Sequence, residues 1–538
     1  MRVRPAVLFL AAAAAAFMVF LPSFFHGWIG LDDSMFLLDQ TGWRGLGPSA
    51  WSWAFTSRIG SVYQPLAWLS YGVDYSLWGL DARGYHVQSA VWHAVAAGFF
   101  ALAAKRLLAA AHDSLDAEPS WDLDAAALLA ALLFALHPLR VESVSWASER
   151  RDVVCCAFFA ATLWSYLRAR QPGRPPLSLW PAVGLFACAL LAKGMAVTLP
   201  LVLLVLDVYP LRRFGRPGER FFSILFEKTM FFCLSAFAVV VGFAIQERMR
   251  WSWVQHDLTS RLAQSFYSLA FYVRKTLWPA NLIPYYELRL PLNVWEPRFV
   301  FSVLAVLAVM GACWFWRRSR PWVAASAAIY AILLFPVCGF FQFGPQLVAD
   351  RYSYLTCLPW AVLAAGVFRA WLCRRARASA AAAAALVVVL AAATLRQQRC
   401  WRGTEELWTR VLAVDPDCAM AHVGLGTLQA RRGRLEEAEA HFRQVFKIHP
   451  GCEADQDRLA VILRRGSPYS ERERVLSVTV EENPACRKAR ANLGALLAQR
   501  GDFVAAEPIL KTSVAVDPQS QTSRRNLLRV EAKLARRR

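Results

Sequence analysis

The chain contains 538 residues, of which 57% are hydrophobic and 18% are charged, and it includes 22 tryptophans and 34 phenylalanines. This composition excludes an ordinary soluble globular protein and predicts a polytopic membrane protein. The net charge of +21 does not indicate a nucleic-acid partner, because much of the basic surplus lies in short clusters between apolar segments and no nucleic-acid-binding motif is present.

Eleven apolar segments are long enough to cross a hydrocarbon core of roughly 30 Å. The first resembles a secretory signal as well as a span, and we favour a retained span because no clear cleavage site precedes Asp32. The segments are 4–25, 86–108, 123–139, 153–170, 178–195, 197–211, 229–246, 299–317, 321–338, 352–373 and 379–396.

Six clusters of Lys and Arg fall on one side of the membrane if the chain has eleven spans. Because cationic loops stay in the cytoplasm, the N-terminus is predicted to be cytoplasmic and residues 26–85 to form the first outer loop. Segment 258–278 has an apolar face but also carries Arg261, Arg274 and Lys275. We interpret it as an interfacial amphipathic helix, with a further span as the open alternative.

The composition changes after Arg396, and prolines 416, 450, 484 and 518 follow at intervals of 34 residues. This period is typical of tetratricopeptide helical hairpins. We therefore predict an all-α fold with a membrane domain over 1–396 and a repeat α-solenoid over 397–538, on the outer face. Repeat 419–452 fits best, and 453–486 and 487–520 are weaker. The repeat positions are Leu425, Gly426, Ala438 and Phe442, then Leu459, Ala460 and Leu476, then Leu493, Gly494, Ala506 and Leu510.

Polar residues gather at the predicted outer ends of the spans. Asp32 and Asp33 form an acidic pair just outside the first span, and loop 137–154 alternates in charge. A solvated loop with internal ion pairs explains that alternation equally well. Lys193 lies inside an apolar segment, where a charge costs about 2.5–3.5 kcal/mol at the centre of the bilayer. It either snorkels to the interface or forms an inward phosphate site, and the second interpretation is favoured.

Further candidate residues lie at the predicted outer ends of other spans. Asp350, Arg351 and Tyr352 begin the tenth span, and Arg351 can pair with Asp350 or with an anion. His86 lies at the outer mouth of the second span, where a packed histidine is commoner than a ligand. No Cys-x-x-Cys pair indicates a metal site, although a divalent cation held by Asp32, Asp33, His86 and Glu142 stays open.

An ordered set of motifs resembles the transmembrane and tetratricopeptide repeat proteins, which are O-mannosyltransferases of the GT-C superfamily with many bacterial relatives. The motifs are LDD at 31–33, YQPLAWLSYGVDYSLWGL at 63–80, GYH at 84–86, HPLRVESVSWASERRDV at 137–153, LLAKGMAVTLPLVLLVLDVYP at 190–210 and VADRYSYL at 348–355. The chain departs from the family pattern at Gln64, where an arginine is usual, at Arg140 and at Gly194.

The resemblance implies an eleven-span GT-C enzyme of a bacterial cytoplasmic membrane, with the repeats in the periplasm. It would pass a sugar, mannose first, from a polyprenyl-phosphate donor to a hydroxyl of a protein. Asp32 and Asp33 match the family's acidic pair, and one would deprotonate the acceptor. The departing lipid phosphate would be held by cations. The candidates for that role are Lys193, Arg351, Arg150 and Arg140, with Glu142, Gln64, Asp350, Tyr352 and His86 nearby.

Two other functions are alternatives to glycosyl transfer. A catalytically inactive scaffold would use the repeat groove to organise envelope or secretion machinery. A transporter is disfavoured, because the polar residues gather on one face instead of lining the midplane. The sequence leaves open the sugar, the acceptor, the oligomeric state and which aspartate takes the proton.

Overall fold

The computed structural model describes residues 4–112, 120–171, 176–214, 216, 219–246, 256–342, 344–448, positions 473, 476, 477, 480 and 481, and 487–535 without 519. The chain divides into two compact units, Met1–Gly403 and Thr404–Arg538. Within the described residues both units are built from helices, and the strands are the short antiparallel pair Tyr286–Glu287 and Gln346–Val348. The predicted all-α fold class is confirmed.

The first unit contains seventeen α-helices among its described residues. They are α1 Pro5–Val19, α2 Pro48–Thr56, α3 Pro65–Trp78, α4 Ala82–Ala111, α5 Trp121–Ala135, α6 Val141–Ser145, α7 Arg151–Ala169, α8 Trp180–Ala192, α9 Leu199–Val208, α10 Phe221–Phe226, α11 Thr229–Gln246, α12 Leu258–Leu277, α13 Pro297–Trp316, α14 Pro321–Leu334, α15 Ser353–Thr356, α16 Leu358–Leu372 and α17 Ala376–Gln398. Several begin with a proline, whose fixed φ suits the first helical position.

Four helical stretches of the described residues are long and apolar enough to cross a membrane, and two bent helix pairs raise the number to six. Five shorter apolar helices accompany them. The chain is therefore an integral membrane protein, and each of the eleven predicted segments falls on one of these helices or pairs. The long stretches are Ala82–Ala111, Ala147–Ala169, Pro297–Trp316 and Ala376–Trp401; the pairs are Trp121–Ala135 with Pro138–Ser145 and Asp350–Thr356 with Leu358–Leu372; the shorter helices are Pro5–Val19, Trp180–Ala192, Gly194–Val208, Thr229–Ile245 and Pro321–Val337.

Helix α12 corresponds to the ambiguous segment and does not pass the same length and hydropathy test. Its buried side carries Arg261, Gln264 and Lys275, whereas Leu262 and Leu277 are exposed. Phe271 and Tyr272 are buried on the same side, and Arg274 is exposed, so charged and apolar residues occur on both sides of the helix. The interfacial helix and the further span both stay predictions.

Helix α4 lies at the centre of the first unit and packs against α1, α5 and α7. Its buried residues are mostly alanines, and at Gly98 a Cβ atom would lie only 2.6 Å from the ring of Phe9. Small residues allow such close approach of helices in membranes. On this frame the first outer loop builds its own aromatic core, which includes Trp43, Trp68 and Tyr71.

The second unit contains helical hairpins of the predicted repeat type. Its described helices are α18 Thr404–Leu412, α19 Ala419–Arg431, α20 Leu435–Ile448, α21 Arg487–Arg500, α22 Phe503–Val516 and α23 Gln521–Ala535. In α19 and α20, Gly426 lies against Phe442, and in α21 and α22, Gly494 lies against Leu510. The small residue therefore serves close helix packing, as the repeat pattern predicts. Leu459 and Ala460 lie outside the described residues.

Candidate active site

A short 3₁₀ turn at Ala147–Glu149 connects the acidic pair to the charged loop. Asp33 is fully buried, and its two carboxylate oxygens accept hydrogen bonds from the backbone N–H groups of Ile29 at 2.8 Å and Ser148 at 3.0 Å. Tyr71 donates its hydroxyl to the carbonyl oxygen of Ala147 at 2.9 Å. The first outer loop and loop 137–154 are thus held together at this turn.

The two aspartates of the pair have different surroundings. Burial raises the pKa of Asp33 from 3.8 to about 6, opposed by the hydrogen bonds from Ile29 and Ser148, while the charge of Asp32 adds to the increase. Asp32 is only half-buried. Asp33 is therefore fixed within the protein, and Asp32 is the more accessible carboxylate.

Glu149, the next residue after Ser148, is the centre of a cluster of charges. Its carboxylate pairs with Arg151 at 2.7 Å and with Lys193 at 2.7 Å, and Arg351 lies 3.9 Å away. The three cations come from three separate segments of the first unit: the start of α7, the residue after α8, and the 3₁₀ turn Asp350–Tyr352.

Two more carboxylates complete the cluster. Asp152 pairs with Lys193 at 2.5 Å. Glu142 pairs with the guanidinium of Arg351 at 2.5 Å and accepts a hydrogen bond from the backbone N–H of Arg351 at 2.9 Å. The three acidic side chains are 1–3% exposed, whereas the three basic side chains are 13–16% exposed. The cations therefore form the accessible layer above buried carboxylates, which is an arrangement suited to meet an anion.

Arg150 was predicted to bind the donor phosphate, but the structure does not place it in this cluster. Its guanidinium is fully buried, pairs with Asp74 and donates to Gln88 at 2.6 Å and to the carbonyl oxygen of Tyr85 at 2.6 Å. It also lies over the ring of Tyr71 at 4.6 Å. Successive residues of a helix point about 100° apart, so Arg150 faces the first outer loop while its neighbour faces the cluster. The structure therefore does not bring Arg150 together with Arg151, Lys193 and Arg351.

Arg140 is also committed to the protein. It is 1% exposed and donates to the carbonyl oxygen of Ser353 at 2.9 Å and to its hydroxyl at 2.7 Å. Its guanidinium lies against the rings of Phe134 and Tyr354. Arg140 thus connects its turn to the start of α15, and the structure does not bring it to the cation cluster.

The remaining candidates lie around the cluster or apart from it. Gln64 is buried and accepts a long hydrogen bond of 3.5 Å from Arg151, so the position that departs from the family pattern adjoins the cations. Asp350 accepts from the hydroxyl of Tyr286 at 3.0 Å. The Tyr352 ring lies 5.1 Å from the Arg351 guanidinium. His86 is buried against His26, with ring centroids 5.8 Å apart, and is not brought to the cluster.

Sequence reasoning missed Arg151, Glu149 and Asp152 as site residues. The alternation of charge in loop 137–154 was a signal for them, but it did not indicate which residues face inward. In the part of the chain that the structure describes, no group of three or more His, Cys, Asp or Glu side chains is placed to hold a metal ion.

An apolar cavity of about 390 Å³ lies among α4, α7, α9, α14 and α16. Helix α7 begins at the cation cluster and continues to the cavity, where it contributes Phe159 and Leu163. Helices α9 and α16, which follow Lys193 and Arg351 along the chain, contribute other parts of its wall. These are Val202 and Leu206 from α9 and Leu358 and Val362 from α16.

Replacement of Arg150 tests its reassigned role. Arg150→Ala leaves Asp74 buried without its charge partner, so the free energy of unfolding should fall by about 3–5 kcal/mol. Chemical unfolding in detergent micelles measures this change. The control is Arg83→Ala, because Arg83 is exposed at the start of α4. If Arg150→Ala were as stable as the control, the structural role of Arg150 would be refuted.

The pKa of Asp33 gives a second prediction. Because the folded state raises this pKa from 3.8 to about 6, ionisation of Asp33 costs stability. The favourable contribution is present below pH 4 and is lost as the pH rises through 6, by about 3 kcal/mol in total. The difference in unfolding free energy between wild type and Asp33→Asn, measured from pH 3 to pH 7, should fall by that amount. A constant difference would contradict the assignment.

The tetratricopeptide repeat family matches residues 388–451. Protein O-mannosyl-transferase tmtc2 of Xenopus laevis is 31% identical over 179 residues, which cover 32% of this chain and 20% of the relative. Protein O-mannosyl-transferase TMTC1 of Homo sapiens is 25% identical over 374 residues, which cover 60% of this chain and 42% of the relative.

Among solved structures, ArnT from Cupriavidus metallidurans bound to undecaprenyl phosphate is similar, with 17% sequence identity and a TM-score of 0.38 over 82% of this chain and 75% of that one. The chain therefore spans about a fifth of the length of the Xenopus laevis relative and less than half of the length of the human one. The family resemblance predicted from the motifs is confirmed at the level of sequence: this chain is similar to protein O-mannosyl-transferases and carries a tetratricopeptide repeat.

Proposed function

We propose that this protein is a membrane glycosyltransferase that moves a sugar, mannose in the first place, from a polyprenyl-phosphate donor to a hydroxyl group of a polypeptide. The observation that carries the proposal is that acidic, basic and apolar groups follow one another in this site. An acidic pair and a layer of three cations meet at one turn, and helices leading from the cations line an apolar cavity. Such a site fits a lipid with an anionic head and a long apolar tail.

The dimensions agree with that class of donor. Phe159 and Leu163 follow Arg151 by eight and twelve residues on α7, which places them about 12 and 18 Å along the helix axis at 1.5 Å per residue. A phosphate bound by the cations would therefore direct its prenyl chain along α7 into the cavity. Apolar burial of each prenyl carbon would then add to affinity, at about 0.8 kcal/mol for each CH₂ group.

The residues of the cluster also have a role in the reaction. A proton would pass from the acceptor hydroxyl to Asp32, the more accessible of the pair, while the oxygen forms a bond to the anomeric carbon of the sugar. The bond from that carbon to the phosphate oxygen breaks, and polyprenyl phosphate leaves with the additional negative charge. Arg151, Lys193 and Arg351 would stabilise this charge as it develops. Asp33 would position its neighbour through the bonds to Ile29 and Ser148.

The similarity to proteins named protein O-mannosyl-transferases supports mannose as the sugar and a protein as the acceptor. The repeats support a polypeptide partner, since their grooves usually bind extended chains. We place the site and the repeats on the outer face of a bacterial cytoplasmic membrane, as the distribution of basic loops predicts.

Transfer assays with the purified full chain test the proposal. Protein in lipid nanodiscs would receive polyprenyl-phosphate-mannose and a Ser/Thr-rich peptide, and mannosylated peptide would be quantified by mass spectrometry. Asp32→Asn should lower the rate by about 10²-fold or more, the contribution of a general base. Asp39→Asn is the control, because Asp39 is an exposed acid of the same loop. Absence of transfer by the folded wild type would instead favour the scaffold.

A separate variant tests the cavity. Gly366 lines it, and a Cβ atom there would meet Leu108 at 3.5 Å, so Gly366→Leu should fill part of the space. We expect KM to rise by about tenfold for a donor with a long prenyl chain, and to change little for a donor with a two-unit prenyl chain. Gly311→Leu on α13 is the control, because nothing lies within 4 Å of its Cβ position. An equal effect on both donors would exclude the cavity as the tail site.

A further inference from the structure

The residues that follow α17 contact both the loop that carries the cation cluster and the segment that precedes the acidic pair. Trp401 is 1% exposed and its ring lies against Trp146, with centroids 5.7 Å apart and an angle of 33° between the planes. The next residue, Arg402, accepts a hydrogen bond through its carbonyl oxygen from the backbone N–H of Gly27 at 3.2 Å. Gly27 lies two residues before Ile29, which holds Asp33.

Trp146 occupies a central position in the cation cluster. It is 2% exposed, adopts an extended backbone between α6 and the turn Ala147–Glu149, and lies between Glu142 and Glu149 along the chain. The guanidinium of Arg351 lies 5.5 Å from the centre of its ring. A cation is attracted to the face of a tryptophan ring, so the position of this ring contributes to the position of Arg351.

The support for Trp401 is itself rigid. Thr394 of α17 donates to the carbonyl oxygen of Leu136 at 2.7 Å, and Gln398 donates to that of Val19 at 2.9 Å. These bonds fix the last turns of α17 to the ends of α5 and α1. Trp401 therefore presents a fixed aromatic surface on which Trp146 can rest.

We propose that Trp401 is a positioning residue for the donor site, which acts on Arg351 through Trp146. The inference rests on the proposed function, because Arg351 is taken there to hold the donor phosphate. In this role Trp401 acts through the ring of Trp146 and does not bind the phosphate itself. Without the Trp401 side chain, the Trp146 ring could move. Arg351 would then lose the aromatic face that helps to hold its guanidinium in place for an anion.

Binding of undecaprenyl phosphate to the full chain in nanodiscs provides the test. Trp401→Ala should weaken binding by about fivefold to tenfold, in the range of one aromatic contact. Trp401→Phe keeps an aromatic face, so its Kd for undecaprenyl phosphate should stay within about twofold of the wild-type value. Trp408→Ala is the matched control, because Trp408 is equally buried but belongs to the second unit. It should leave the Kd unchanged.

A double-mutant cycle separates positioning from a general loss of structure. In an Arg351→Ala background, Trp401→Ala should have no further effect on the Kd, whereas in a Lys193→Met background its effect should persist. If Trp401→Ala does not fold, Trp401→Leu takes its place in the same cycle. An equal effect of the Trp401 change in all backgrounds would overturn the inference alone. Absence of saturable binding by the wild type would overturn the proposed donor site and this inference together.

Discussion

The buried carboxylate of Glu149 is the interaction on which the rest of the site depends. Removing a carboxylate from water is expensive, and the cost is repaid only when cations and hydrogen bonds surround it. Here Arg151, Lys193 and Arg351 supply that compensation from three parts of the chain. If one of these cations moved away, the Glu149 carboxylate would remain buried with less compensation for its charge. Glu149 therefore holds the three segments together.

Under the proposed function, this constraint would let one site hold two different chemical groups, the acceptor hydroxyl and the donor phosphate. The turn that ends at Glu149 contributes the N–H of Ser148 to Asp33, so the acidic pair and the cations have a fixed separation. The carboxylates beneath neutralise the cations in the resting protein, which makes a cluster of positive charge tolerable beside the membrane. An anionic head group would share these cations with the acids, and α7 would direct its tail into the apolar cavity.

Much of the architecture could be predicted from the sequence, because long apolar runs and a 34-residue period are simple physical signals. The departures concern residues whose direction depends on tertiary contacts. Arg150 and Arg151 are identical in type and adjacent, and only the packing of α7 determines that one pairs with Asp74 and the other with Glu149. The direction of Arg140 could not be predicted either, since its partner Ser353 lies more than two hundred residues away along the chain. Asp33 was predicted to face the outer side with Asp32, as one of two possible bases. In the structure it is buried, and both of its carboxylate oxygens accept hydrogen bonds from backbone N–H groups.

The most direct test of the central claim is a structure of the full chain in nanodiscs with undecaprenyl phosphate, determined by electron cryo-microscopy. The account predicts phosphate density within hydrogen-bonding distance of Arg151, Lys193 and Arg351, with the prenyl chain continuing along α7 between α9 and α16. Phosphate bound elsewhere, with these three side chains still paired only to Glu142, Glu149 and Asp152, would contradict it.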